Sequence, residues 1–245
     1  MIRFRRLLPT LLLFSAASLF ADVGWTDLLA GDRTDAWRAV RGETFPARGW
    51  TLQGGVLTIH KAGGEESRGG GDIITRARYA HFELELEFRL TPGCNSGIKF
   101  FVQPNLSPID RLTGKPTQLG SAIGPEFQIL DDARHPDAKA GRDGNRTVAS
   151  LYDLMPAAAD KTVNPMGEWN RARIVARGSQ VEFFLNGKKT LEFDRHSTAY
   201  RDLVARSKYN IIPEFGEWVD GHILLQDHGD EVSFRSVRIR ELPAN

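Results

Sequence analysis

The sequence predicts an all-β protein. Two antiparallel sheets pack face to face as a β-sandwich of jelly-roll type, with one short helix. Three observations predict it. Residues 82–90 alternate without a break: Phe82, Leu84, Leu86, Phe88 and Leu90 against Glu83, Glu85, Glu87 and Arg89, the period of a strand with one buried face. Turn signals recur at close spacing along the whole chain. No strand–helix alternation of the parallel-sheet kind appears, and neither an internal repeat nor a linker divides the chain.

The chain has 245 residues, enough for one large all-β domain. Residues 1–21 read as a signal peptide. Arg3, Arg5 and Arg6 form a basic start, residues 7–20 are apolar, and Ala21 is a small residue before a cut, with Ala17 and Ser18 as alternative positions. The apolar run is short for a bilayer span, and no later run is long enough. The expectation is export to the periplasm or beyond, no membrane insertion after cleavage, and a single sandwich domain over residues 22–245.

Cleavage removes three arginines and no acid. It lowers the basic count from 32 to 29 against 31 acids, a net charge of −2. Phosphate binding needs a basic footprint, so nucleic acid is not an expected partner. Cys94 is the only cysteine. The mature chain is therefore held by its core and not by disulfides, and Cys94 reads as a small buried apolar residue.

The elements follow in order. Residues 50–60, W-T-L-Q-G-G-V-L-T-I-H, form a hairpin around Gly54-Gly55. Residues 61–71 are rich in Gly and Glu and form a loop, and residues 72–75 resume a strand. After residues 82–90, Thr91-Pro92-Gly93 turns the chain. Residues 97–103 return, with Ile98, Phe100 and Val102 on one face and Lys99, Phe101 and Gln103 on the other. Residues 169–176 form a strand. Residues 181–185 and 188–193 form a hairpin whose Asn186-Gly187 suits a type I′ turn. Residues 197–207 are the helix, capped by Ser197. Residues 223–226 and 232–239 close the chain around His228-Gly229-Asp230. This makes at least ten strands.

Residues 124–135, G-P-E-F-Q-I-L-D-D-A-R-H, lie between two long aperiodic stretches, 104–124 and 133–148. Phe127 and Ile129 point one way, Glu126 and Gln128 the other. Long loops around one strand are often functional. An apolar back with a carboxylate and an amide in front is either a half-solvated strand or the floor of a sugar groove.

Four polar groupings interrupt the apolar strands: Asn95-Ser96-Gly97 with Lys99; Glu126, Gln128, Asp131, Asp132 and His135; Tyr152 with Asp153; and Gln226-Asp227-His228 with Arg235. Each also has a structural reading. Asn95 and Ser96 suit turns, Lys99 a snorkelling surface lysine, His228 a loop, and Arg235 a surface ion pair. Asp131, Asp132 and His135 offer donors for a divalent metal without matching a strong ligand spacing.

Glucanases with a concanavalin-like sandwich carry E-x-D-x-x-E on a concave strand, and this chain has Glu126-x-Gln128-x-x-Asp131. Gln128 removes the central carboxylate, and Asp131 is a methylene shorter than Glu. Double-displacement glycosidases need carboxyls roughly 5 Å apart. The architecture looks shared, but the ordinary mechanism fits poorly.

A larger set of segments resembles the 3-keto-disaccharide hydrolase domain family, a concanavalin-like sandwich. It comprises W-T-L-Q-G-G-V-L at 50–57, F-E-L-E-L-E-F-R-L at 82–90, N-S-G-I-K-F at 95–100, P-E-F-Q-I-L-D-D at 125–132 and L-Y-D-L-M-P at 151–156. E-W-N at 168–170, F-L-N-G at 184–187, I-L-L-Q-D-H-G at 223–229 and F-R-S-V-R-I at 234–239 complete it. Together they cover nearly all of the mature chain, in order. The resemblance implies an enzyme that cleaves glycosides already oxidised to a ketone at C3. Such a ketone acidifies the C2 proton; a base removes it, the C1 substituent leaves by β-elimination, and water adds across C1–C2. On this reading Glu126 or His228 is the base with the other as acid, and Lys99 or a bound metal stabilises the enolate oxygen. Asn95, Ser96, Gln128, Asp131, Tyr152, Gln226 and Arg235 hold the glycoside or oligosaccharide. Two alternatives share the shape: a non-catalytic lectin-like carbohydrate-binding module, with Trp218 and Phe101 as exposed groove aromatics, and a conventional glucanase.

Overall fold

The computed structural model describes residues 24–65, 68–106 and 121–244, so the expected signal peptide lies outside the described residues. The chain forms β1 (Thr26–Asp27), β2 (Trp37–Ala39), β3 (Trp50–Gln53), β4 (Val56–Ile59), β5 (Ile73–Thr75), β6 (Phe82–Leu90) and β7 (Asn95–Val102). It continues with β8 (Glu126–Leu130), β9 (Trp169–Arg177), β10 (Gln180–Leu185), β11 (Lys188–Asp194), α1 (Thr198–Ala205), β12 (His222–Leu225) and β13 (Val232–Glu241). All pairings between these strands are antiparallel. The large sheet runs β11-β10-β9-β6-β13-β4-β3, with β1 added on β13, and the small sheet runs β2-β5-β12-β7-β8. This is the two-sheet sandwich the periodicity predicts.

The alternation of β6 explains its central place. Its five apolar residues face inward and are all buried. Across the sandwich they meet the inner face of the small sheet, where Ile98 and Phe100 of β7 lie beside Phe127 and Ile129 of β8. The Phe88 and Phe127 rings sit 6.5 Å apart, and Phe183 of β10 lies 5.1 Å from Phe127 and 5.7 Å from Phe100. Each buried phenylalanine contributes roughly 1.5–3 kcal/mol of transfer free energy, and truncating one would also leave a cavity. Cys94 is buried in this core, and burial pushes its thiol up to about 11, which leaves it protonated and inert.

Both predicted tight turns have the required backbone. Gly54 and Gly55 have φ of 59° and 73°, and Asn186 and Gly187 have φ of 51° and 84°, the double positive φ of a type I′ hairpin. The Ser197 hydroxyl accepts the Tyr200 N–H at 3.1 Å and starts α1.

Two local expectations need correction. Residues 97–103 do not keep strict alternation. Phe101 adopts φ of 50°, and the pairing of β12 with β7 shifts register between His222 and Leu224. This bulge turns Phe101 inward beside Phe100, at 5.5 Å between rings, and turns Val102 outward onto Ile74 and Leu224. Phe101 is therefore a core residue stacked under the Arg195 guanidinium at 4.4 Å and not a groove aromatic. Trp218 is only half-exposed and packs against the core. The second correction concerns β6. Its polar face is not open to water: Glu83 and Glu85 are 3% and 7% exposed, because arginines from β9 and β13 close over them.

Candidate active site

The outward face of the small sheet carries the site. Strand pairing sets its side chains in rows. Leu224, Lys99 and Glu126 lie side by side across β12, β7 and β8. In the next row Gly97 pairs with Gln128, and the Gly97 carbonyl accepts the Gln226 N–H at 3.0 Å. Asn95 follows, its side-chain oxygen accepting from Gln128 Nε2 at 3.4 Å. Three of the sequence-predicted polar residues, Asn95, Gln128 and Gln226, thus share one face with Glu126 and Lys99.

Gly97 is the geometric key. A Cβ placed there would lie 1.9 Å from Glu126 Oε1 and 2.7 Å from its carboxyl carbon. The missing side chain makes a recess, and the Glu126 carboxylate lies in it. Glu126 is 4% exposed and Lys99 6%, with Lys99 Nζ 3.9 Å from Glu126 Oε2. At that distance the charges attract without a direct hydrogen bond. Gln128 is 1% exposed, and its Oε1 has no hydrogen-bond partner among the described residues. A buried amide acceptor left unmatched costs free energy unless something else satisfies it. A sugar hydroxyl would do so.

Lys99 is itself held from behind. Its ammonium donates to Ser121 Oγ at 2.5 Å and to the Ala122 carbonyl at 3.3 Å. Ser121 donates to the buried Asp72 carboxylate, whose other oxygen accepts the Asp227 N–H at 2.8 Å. Asp227 in turn accepts from the N–H groups of Gly70, Gly71 and Gly229, at 2.9, 2.8 and 2.9 Å. One chain of buried carboxylates therefore ties the Lys99 strand to the turn that carries His228.

Four predicted substrate contacts are occupied or elsewhere. Ser96 is paired with Ile129 on the inner face, wholly buried, and donates to the Gln226 carbonyl at 2.9 Å. Asp131 closes the turn at the end of β8: its carboxylate accepts from the N–H groups of Gly93 at 2.8 Å and Ala133 at 3.2 Å and from Arg134 at 3.1 Å. Burial alone would raise its pKa, but those donors outweigh it and hold it below the usual carboxylate range. Arg235 is in the large sheet, donating to Glu87 at 2.7 Å and stacking on Trp169 at 4.2 Å. These three are reassigned from substrate contact to structure. Tyr152 does border the site, its N–H bonded to the Glu126 carbonyl at 3.0 Å, but its hydroxyl donates to Asp137 at 2.7 Å. Burial, then the Asp137 bond, pushes that phenol well above its ordinary range. Tyr152 is a neutral wall under the Lys208 ammonium at 4.3 Å.

At the Asn95 end of the face, His135, His228 and Asp230 bring one donor atom each within 4.8 Å of one another. The two imidazoles meet edge to face at 6.1 Å. Burial, then the neighbouring His228, lowers the pKa of His135. The metal set suggested by sequence is rearranged here. Asp131 is engaged as above, and Asp132 accepts the Val148 N–H at 2.7 Å and pairs with Lys161 at 3.0 Å. Only His135 remains of that set.

The family described as the 3-keto-alpha-glucoside-1,2-lyase-like domain matches residues 24–240. This chain belongs to that family. A protein of Bacteroides thetaiotaomicron named 3-keto-disaccharide hydrolase is 34% identical over 231 residues, covering 89% of this chain and 79% of that one. Among solved structures, a Parabacteroides distasonis protein assigned to the glycosyl hydrolases has a TM-score of 0.72 at 26% identity, over 90% of this chain and 95% of its own. A second of the same assignment and organism has a TM-score of 0.62 at 27% identity, over 89% and 99%. The resemblance drawn from the ordered sequence segments is thereby shown.

Sequence reasoning missed three contributors in this family member. Gly97 was a spacing residue until its facing carboxylate was known. Asp72 and Ser121 lie 49 positions apart and meet only in the fold. Asp72 had a faint signal, an acid opening the apolar run D-I-I-T.

Proposed function

We propose that this protein cleaves 3-keto-glycosides, 3-keto-disaccharides among them, by C2 deprotonation and β-elimination followed by addition of water. That it is an enzyme of glycoside cleavage follows from the family and from the 34% identical hydrolase. The family description speaks of a lyase and the relative's name of a hydrolase. Elimination and rehydration accommodate both, since the first step is a lyase reaction and the net change is hydrolysis.

The observation that carries the reading is the Glu126 carboxylate in the Gly97 recess, beside Lys99. A single buried carboxylate is what removal of an acidified C–H proton requires. The second acid that a double-displacement glycosidase would need at this spacing, Asp131, is tied up in its turn. Glu126 takes the C2 proton. Lys99 positions that carboxylate, its ammonium being engaged by Ser121 and Ala122. Gln128, Asn95 and Gln226 offer amides to sugar hydroxyls. His228 and its neighbours meet the substrate at the far end of the face.

The test is to incubate purified mature protein with an ordinary disaccharide and with its 3-keto form, with and without chelator. The expectation is product from the keto form alone, passing through an unsaturated keto-sugar seen by ultraviolet absorbance. Product from the unoxidised disaccharide would point to a glucanase, and binding without turnover to a lectin-like module. The reading includes export, supported by residues 1–21 of the sequence. N-terminal sequencing of protein from cell fractions checks it: an uncleaved cytoplasmic chain refutes it.

A further inference from the structure

Lys99 is one positive centre on this face, and two of its three N–H donors already serve Ser121 and Ala122. A second positive centre would share the charge that the ketone oxygen gains. The cluster at the Asn95 end of the face supplies the donors for one.

We propose that His135, His228 and Asp230 bind one divalent first-row transition-metal ion, as a three-ligand site open to sugar oxygens. Two imidazoles and a carboxylate suit such an ion, and three protein ligands leave positions for substrate. Donors on an ion with bonds of about 2.0–2.2 Å lie roughly 3–4 Å apart, so the cluster needs only a small contraction from its 4.8 Å span.

The surroundings hold the ligands from outside. One Asp230 oxygen accepts the Asn95 N–H at 3.1 Å, leaving the other for an ion. His228 is presented by a turn that Asp227 fixes through the Gly70, Gly71 and Gly229 N–H groups. Its Nδ1 is buried and has no hydrogen-bond partner among the described residues, a cost that a ligand bond removes. His135 Nδ1 accepts the Asp137 N–H at a long 3.2 Å. An ion competes with that contact, and a half-turn of the ring about its broad χ2 gives it up cheaply. All three side chains are half-exposed, so ion and sugar can reach them.

The placement fits the reaction. Asn95, bonded to Asp230, is two residues from Gly97 on β7, ~7 Å by strand rise. One sugar residue can bridge from the Glu126 recess to an ion there. The ion would draw electron density from a sugar oxygen while Glu126 takes the neighbouring proton. His228 is then a ligand and not a proton carrier. The site stands on the three side chains; its service to the substrate rests on the function proposed above.

The test uses mature protein stripped with chelator and dialysed. Titration with Zn2+ by calorimetry is expected to show one ion per chain. Co2+ is expected to give visible bands of a protein-bound ion, distinct from those of aqueous cobalt. His135→Ala and Asp230→Asn are expected to weaken binding by at least the ~10–100-fold that loss of an outer-shell partner costs and to abolish the rise in Tm that Zn2+ causes in the wild type. A wild-type chain whose cobalt spectrum stays that of the free ion overturns the proposal without any variant. So does a His135→Ala/Asp230→Asn double variant that binds like the wild type. Metal uptake without turnover of keto-glycosides would remove the function and leave the site. Turnover by metal-free protein that takes up no ion would remove the site and leave the function.

Discussion

The two sheets turn outward faces to the surroundings that look alike in sequence and behave differently in space. Both alternate apolar with charged or amide residues. On the large sheet every carboxylate of β6 is matched by arginines from the strands beside it: Glu83 by Arg173 and Arg240, Glu85 by Arg171 and Arg238, Glu87 by Arg235. On the small sheet Glu126 faces a lysine held back at 3.9 Å, a glycine and an amide with an unmatched oxygen. Saturated polar groups rigidify a surface. Polar groups buried and left unsaturated are the ones that have something to gain from a ligand. The difference teaches that the chemical face is the one whose buried amide, Gln128, keeps an unmatched acceptor beside the carboxylate.

This contrast can be broken by exchanging the treatment of the two faces. The largest effect is expected at Glu126. Glu126→Gln should lower kcat on a 3-keto-disaccharide by about 10²–10⁴ with Tm little changed. The same change at Glu85 should leave kcat within about twofold. Equal losses at both positions would end the distinction.

Gly97→Ala comes next. The added methyl overlaps the carboxylate and not rigid backbone, so the side chain moves and the fold survives. A loss of about 10–100-fold in kcat is expected, because misplacing a reacting group by about 1 Å can cost that much. Steady-state kinetics beside a melting curve checks it; an unchanged kcat would mean that the recess is incidental.

On the large sheet the expected losses are in stability. Glu85→Gln should cost about 1–3 kcal/mol in denaturant melts, since it strips two arginines of a common, nearly buried partner. Burial would raise the Glu85 pKa, but its bonds to Arg171 and Arg238 outweigh that and hold it low. A carboxylate whose folded pKa lies below its unfolded one adds stability that is full above the unfolded value, near 4. That stability is lost as pH falls through the folded value. Asp131 and Asp137 shift the same way. Stability should therefore fall on acidification below about pH 4–5, less steeply in Glu85→Gln. Parallel pH–stability curves for variant and wild type would remove Glu85 from the acid transition.

The smallest effect is expected at Arg235. It is partly exposed and lies on the wrong sheet to meet substrate. Arg235→Ala should leave kcat and KM unchanged and cost about 1 kcal/mol or less. A raised KM would put a sugar on the large sheet after all.

The fold was legible because it rests on local period. Phe82–Leu90 announces a strand by itself, and Asn186-Gly187 announces its turn. The alternation breaks at bulges: at Phe101 and at Ser236 a positive φ reverses it, the second where β13 shifts register against β6. Such a bulge depends on what the neighbouring strand offers, which a strand's own residues do not encode. The site was legible as residue types and only partly as places. Glu126, Lys99, Gln128 and Asn95 share a face as strand parity implies. Ser96 and Asp131 were drawn in because they stand next to residues that do belong, but one more residue along a strand changes face, and a strand end turns away.

From its sequence alone, this protein's sandwich class, its family and its carboxylate strand are determined. Side-chain period and ordered segments are properties of the chain taken one stretch at a time. Only the tertiary structure decided that Gly97 makes room for Glu126, that Asp72 and Ser121 stand behind Lys99, and that His135 meets His228 and Asp230. Those relations join residues tens of positions apart. They exist only once strand pairing has carried each backbone to within a side chain's reach of the next.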